Sequence, residues 1–148
     1  MIRTATPDDV PAAVLLAQAF HNESAYRARG FSPQKVTSLF TGLLAEERGV
    51  LLVADYGGDL IGFVAGGIGQ DYFGDDLFAF EYGVYVTPAR RGGMAGPNLV
   101  KAFLRWADDL GVARKHMAIS TGIATDRTGE LYKHMGGADS GSLYSWGL

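Results

Sequence analysis

Cysteine is missing from this 148-residue chain, so disulfides and cysteine-based zinc sites are excluded. Long apolar runs are missing too. None approaches the ~20 residues needed to cross a bilayer, and no membrane partner is expected. The start, Met1-Ile2-Arg3-Thr4-Ala5-Thr6-Pro7, has no apolar segment of the secretory kind, so a cytoplasmic location is expected. There is no basic tail or arm. With a formal charge of −3 and basic residues paired at Arg90–Arg91 and Arg114–Lys115, nucleic acid is not expected as a partner. The familiar nucleotide motifs also fail: no G-x-x-x-x-G-K-[ST] occurs. Gly67-Ile68-Gly69 lacks the third glycine of a dinucleotide fingerprint and leads into another strand, which predicts a weakened or bulged strand. Without an H-E-x-x-H, and with His21, His116 and His134 scattered, no metal is expected. Ser140, in Ala138-Asp139-Ser140-Gly141, does not sit in a nucleophile elbow.

What is present describes one globular domain over residues 1–148, with 47% hydrophobic and 20% charged residues. The 21 glycines gather at 57–96 and 136–147, as turns and close backbone approaches do. A short strand is predicted at Ile2–Ala5. Thr6-Pro7-Asp8-Asp9 then starts a helix running to about Phe20: a cap, a proline at the first position and acids in the first turn. Ser32-Pro33 repeats the signal for a second helix, ending near Arg48-Gly49. Val50–Ala54 and Leu60–Ala65 make a hairpin about Tyr56-Gly57-Gly58-Asp59. Leu77–Val86 is a third long strand. Leu99, Phe103, Trp106, Ala107 and Leu110 recur at helical spacing from about Asn98. A strand at Lys115–Thr121, a helix at Arg127–Met135 and a last strand at Ser142–Trp146 complete the chain. The order β-α-α-β-β-β-α-β-α-β predicts an α/β (α+β) class: a mixed, mostly antiparallel sheet flanked by helices.

Between the third strand and its helix lies Thr87-Pro88-Ala89-Arg90-Arg91-Gly92-Gly93-Met94-Ala95-Gly96. Strand, basic small-residue turn and helix start form the layout of a phosphate site. Successive backbone N–H groups can converge there, and the helix terminus adds positive potential. This turn resembles the acyl-coenzyme-A loop of the GNAT superfamily of N-acetyltransferases, with its pattern [RQ]-x-x-G-x-[GA]. The pattern is met from Arg90 to Ala95, and in the family's usual spacing from Arg91 to Gly96 with Met94 in place of a glycine. Pro97, lacking an N–H, must lie in the first helical turn or distort it. The resemblance covers nearly the whole chain. Leu131-Tyr132-Lys133-His134-Met135-Gly136-Gly137 is similar to the family's LYxxxGF segment.

The resemblance implies a fold, an activity and a site. Acetyl-CoA would be the cosubstrate and a primary amine, unidentified, the acceptor, attacked directly in a ternary complex. Arg90, Arg91, Gly92, Gly93, Met94, Ala95 and Gly96 would hold the pyrophosphate. Backbone N–H groups of Val84, Tyr85 and Val86 would meet the thioester oxygen, and Thr125 stands where many members have an asparagine on the pantetheine arm. Tyr132 matches the tyrosine that protonates the leaving thiolate; a core tyrosine beneath the loop is the alternative. Glu81 lies among aromatic residues on the third strand, where desolvation would raise its pKa toward a base's working range. A solvent-facing strand residue is the alternative. By the same resemblance the acceptor would lie against His21–Gly30 and Ala138–Ser145, and Asp71, Asp75, Asp76 and Glu81 are candidates to attract it. A non-catalytic acyl-CoA sensor and a purely structural turn are the rival readings. A homodimer is expected on general grounds only.

Overall fold

The computed structural model describes residues 1–147. Its strands are β1 (Ile2–Thr4), β2 (Gly49–Tyr56), β3 (Asp59–Gln70), β4 (Leu77–Val86) and β5 (Arg114–His116). They form one five-stranded sheet in the order β1-β2-β3-β4-β5. β1 to β4 are antiparallel neighbours, and β5 joins β4 in parallel. The helices are α1 (Val10–Glu23), α2 (Pro33–Ala45), α3 (Ala95–Asp109) and α4 (Thr125–His134).

Successive residues of a strand face opposite sides of a sheet, so a strand buried on both faces needs an almost unbroken apolar run. β2 is such a strand. Leu51 and Val53 face a core shared with Ala13 and Leu16 of α1 and with Phe40 and Leu43 of α2. Val50, Leu52 and Ala54 face a second core with Leu99, Phe103 and Ala107 of α3. Gly66 lets α3 come this close, because a Cβ there would stand 2.6 Å from Phe103 Cε2 and 2.6 Å from the Phe80 carbonyl oxygen. The bulge expected from the glycine run falls between Ala65 and Gly66, and β3 continues through Gly67-Ile68-Gly69 to Gln70.

Several element boundaries differ from expectation. Thr6-Pro7 opens a 3₁₀ turn (Pro7–Asp9) before α1, locked by the Thr6 N–H donating to Asp9 Oδ2 at 2.7 Å. α1 extends to Glu23, through the expected polar connection, because Ser24 closes it with its hydroxyl donating to the His21 carbonyl at 2.9 Å. α2 ends at Ala45, not at Arg48-Gly49, and Gly49 opens β2. α3 begins at Ala95, and Pro97 sits in its first turn, where its missing N–H has no helical partner to lose.

Two expected strands are corrected. The one at Lys115–Thr121 is reduced to Arg114–His116. Beyond it, the Glu81 carboxylate takes the Ala118 N–H, at 3.0 Å, in place of a ladder bond. Ser142–Trp146 forms no strand among the described residues. Gly141 and Gly147, with φ of 152° and 73°, flank it. Its apolar side chains stay out of the core, Tyr144 at 77% and Trp146 at 89% exposure. Among the described residues no helix is long and apolar enough to cross a membrane.

Candidate active site

β4 and β5 pair only from Phe78↔Arg114 to Phe80↔His116 and then part. Between them lies a cavity of about 640 Å³. Glu81 through Val86 line one wall, Ala118 through Thr121 with Ile123 and Ala124 the other, and the glycine loop and α4 close one end. The last turn of α1 and the 3₁₀ turn Ala25–Ala28 also reach across the cavity. There the Ala25 N–H donates to the Thr121 carbonyl at 2.8 Å.

The strand supplies donors to this cavity by alternation. The Thr87 N–H donates to Ile61 of β3 at 2.9 Å. Two-residue periodicity then turns Tyr85 toward β3 as well, and turns the N–H groups of Val84 and Val86 away from it, into the cleft. Tyr85 is buried on the α1 side, its hydroxyl donating to Glu23 Oε2 at 3.3 Å. Of the three expected backbone donors, Val84 and Val86 face the cavity, and Tyr85 serves as a prop.

The loop fits a phosphate group. Among the described residues, the backbone N–H groups of Gly92, Gly93, Met94, Ala95 and Gly96 donate to no backbone carbonyl outside the helix, and α3 begins at once. Gly92 has φ of 88°, a conformation that glycine adopts without strain. Met94 has φ −90° and ψ −6°, open to any residue, and its side chain is 65% exposed. Its replacement of a glycine therefore leaves the turn intact. Arg90, Arg91, Gly92, Gly93 and Gly96 line the cavity; Met94, Ala95 and Thr125 do not. Ile123, Ala124 and Thr128 stand at the wall on either side of Thr125.

Arg91 is held by the protein itself. Its Nη2 donates to Glu23 Oε2 at 2.7 Å, its Nη1 to Glu23 Oε1, and its Nε to the Val86 carbonyl at 2.9 Å. This bidentate pair lowers the Glu23 pKa and fixes the loop against the end of α1. The Arg90 guanidinium lies 4.5 Å from the centre of the Tyr56 ring. Arg127 approaches the loop from α4: a Cβ on Gly92 would be 3.4 Å from its Nη2. Sequence reasoning missed Arg127 as a loop partner, although a cation in the first turn of a helix opposes the macrodipole and so calls for another reason.

Glu81 and Tyr132 face the same cavity. Burial pushes the Glu81 carboxyl up to about 7, against the opposing effect of the Ala118 N–H. Burial first, and then the charge of Glu81, raises the Tyr132 hydroxyl well above the ordinary phenol value. Asp71, Asp75 and Asp76 are elsewhere, around a separate depression beside Arg114. Of the two expected acceptor segments, His21–Gly30 reaches the cavity through His21, Ser24 and Tyr26, while Ala138–Ser145 lies outside it. His21 packs on Phe31, 5.3 Å between ring centres, with neither ring nitrogen hydrogen-bonded. Among the described residues no three His, Asp or Glu side chains gather as a metal-binding group.

A mixed sheet that parts beside a glycine-rich helix start is the architecture of acyl-coenzyme-A-dependent acetyltransferases. Residues 16–136 match the model of the acetyltransferase (GNAT) family, and the chain belongs to that family. Solved structures share the fold at low identity. A putative acetyltransferase from Agrobacterium tumefaciens str. C58 is 19% identical with a TM-score of 0.77, covering 100% of this chain and 99% of its own. Aminoglycoside N-acetyltransferase AAC(6')-Iy in complex with CoA is 16% identical with a TM-score of 0.81, covering 100% and 93%. A ribosomal-protein-alanine N-acetyltransferase from Brucella melitensis biovar Abortus 2308 is 17% identical with a TM-score of 0.74, covering 100% and 99%. A search of the curated proteins finds no match by sequence.

Proposed function

We propose that this chain transfers acetyl from acetyl-CoA to a primary amine by direct attack within a ternary complex. One observation carries the reading: a half-buried carboxyl and a half-buried phenol share a cavity whose far end is a cradle of unpaired backbone N–H groups. Acetyl-CoA supplies a thioester, so transfer makes one N–C bond, breaks one C–S bond and returns a proton to sulfur.

Each protein group has a task suited to its surroundings. The N–H groups of Gly92 to Gly96, with Arg90 and Arg127, bind the pyrophosphate, while Arg91 shapes the loop through Glu23. Val84 and Val86 donate to the oxygen on which charge develops. Glu81, with a pKa of about 7, takes the proton that an ammonium must lose before it can attack. Tyr132 keeps its proton at any working pH and offers an O–H to the leaving sulfur. Once Glu81 is protonated its charge no longer holds the Tyr132 proton back, so the first transfer eases the second.

Of the three departures that favoured a binding module without turnover, Met94 and Pro97 are accommodated by the loop, and Thr125 stays outside the cavity lining. Thiol release from acetyl-CoA with an amine panel separates the readings. Tyr132→Phe is expected to lower kcat about 100-fold while leaving KM for acetyl-CoA within about twofold. Equal kcat would remove Tyr132 from the mechanism. Stabilisation by acetyl-CoA without thiol release on any amine would make the chain a sensor.

A further inference from the structure

The acceptor end of the cavity is poor in negative charge. Glu81 is the only carboxylate among the described residues that line the cavity, and three guanidiniums, of Arg90, Arg91 and Arg127, stand at the loop end. Glu23 is occupied by Arg91, and the Asp71, Asp75 and Asp76 carboxylates belong to another depression. Arg91 is neutralised by Glu23, and Arg90 and Arg127 are assigned to the pyrophosphate, so an acceptor carrying several ammonium groups would find a single carboxylate for all of them. Four aromatic side chains also line the cavity: Phe20, Tyr26 and Phe31 on the helical side, and Tyr82 from β4. His21 joins them with its ring against Phe31. Such rings accept a planar or apolar body, and their faces attract a single ammonium passing toward Glu81.

We infer that the acceptor is a small monoamine carried on an aromatic or apolar body, seated among His21, Tyr26, Phe31 and Tyr82 with its nitrogen toward Glu81. This rests on the proposed amine acetylation and narrows it to one substrate class. Polycationic amines are disfavoured because the lining offers them one carboxylate, although structures of aminoglycoside acetyltransferases share the fold.

The test compares 2-phenylethylamine with the polycation kanamycin, by thiol release from acetyl-CoA and by thermal shift of the CoA complex. 2-Phenylethylamine is expected to show a kcat/KM at least ~100-fold higher. Phe31→Ala should raise its KM about tenfold and leave that of acetyl-CoA unchanged. Phe31→Asp should narrow the preference by adding a carboxylate. Equal or better turnover of kanamycin would overturn the acceptor class and leave acetyl transfer standing. Stabilisation by 2-phenylethylamine alone, with no thiol released on any amine, would support the acceptor class and sink the transfer reading. If neither amine shifts the melting temperature nor releases thiol, the inference fails.

Discussion

The wall of the cleft made by β4, the glycine loop and α3 is built into the core, whereas the wall facing it hangs from few attachments. α3 buries Leu99, Val100, Phe103 and Ala107. α4, across the cavity, buries no residue, and β5 is three residues long. The segment between them is tied back by the Ala118 N–H on Glu81 and by the Thr121 carbonyl on Ala25. The difference follows from what each wall must do. The donor cradle needs fixed N–H positions, and a packed helix supplies them. In the proposed reaction the side bearing Tyr132 borders the entry of two substrates, and its few buried contacts let it move at low cost.

The contrast can be broken first by stability. Phe103→Ala is expected to cost about 3–5 kcal/mol in urea unfolding, since its ring is fully buried against Gly66. Leu131→Ala on α4 should cost less than a third of that. Similar losses would show that the second wall is as firmly built as the first. Glu81→Gln acts on both walls and should lower kcat/KM about 100-fold. In the native protein kcat/KM should rise with pH and level off above about 7, and the variant should lose that rise. Stability runs the opposite way. The folded protein holds the Glu81 proton up to about 7, against an ordinary value of 4.5. Its contribution is therefore complete below 4.5 and is lost as pH climbs through 7. The melting temperature of Glu81→Gln should accordingly gain on the native protein between about pH 5 and about pH 8. Glu23→Gln, which touches only the donor wall, should raise KM for acetyl-CoA about threefold with kcat unchanged. A fall in kcat instead would mean that the pair reaches the chemistry as well as the loop.

The sequence was most legible where local chemistry is strong. The caps at Thr6 and Ser32, the Gly57-Gly58 turn and the unbroken apolar run of β2 placed the first four strands and the first two helices closely. The loop could be read because Gly92 and the helix start are local features. Long-range partners left no trace. Glu23 and Arg91 are 68 residues apart, and nothing in either neighbourhood announces the pair. The last strand failed for a related reason. Ser142–Trp146 has a β-prone composition, but a strand forms only where an edge is offered, and the sheet ends at the three residues of β5. Glu81 was visible as a carboxylate among aromatic residues. That its partner would be the Ala118 N–H was not, because a parted strand pair has no local signature.

That hydrogen bond has a consequence in time. The oxygen that holds the Ala118 amide belongs to the carboxyl assigned to collect the acceptor's proton. A carboxyl that gains a proton becomes a weaker acceptor. The clasp on the second wall is therefore tightest while the base is empty and slackens when it is loaded. In the proposed reaction the latch is closed before the proton moves and easier to open after it has.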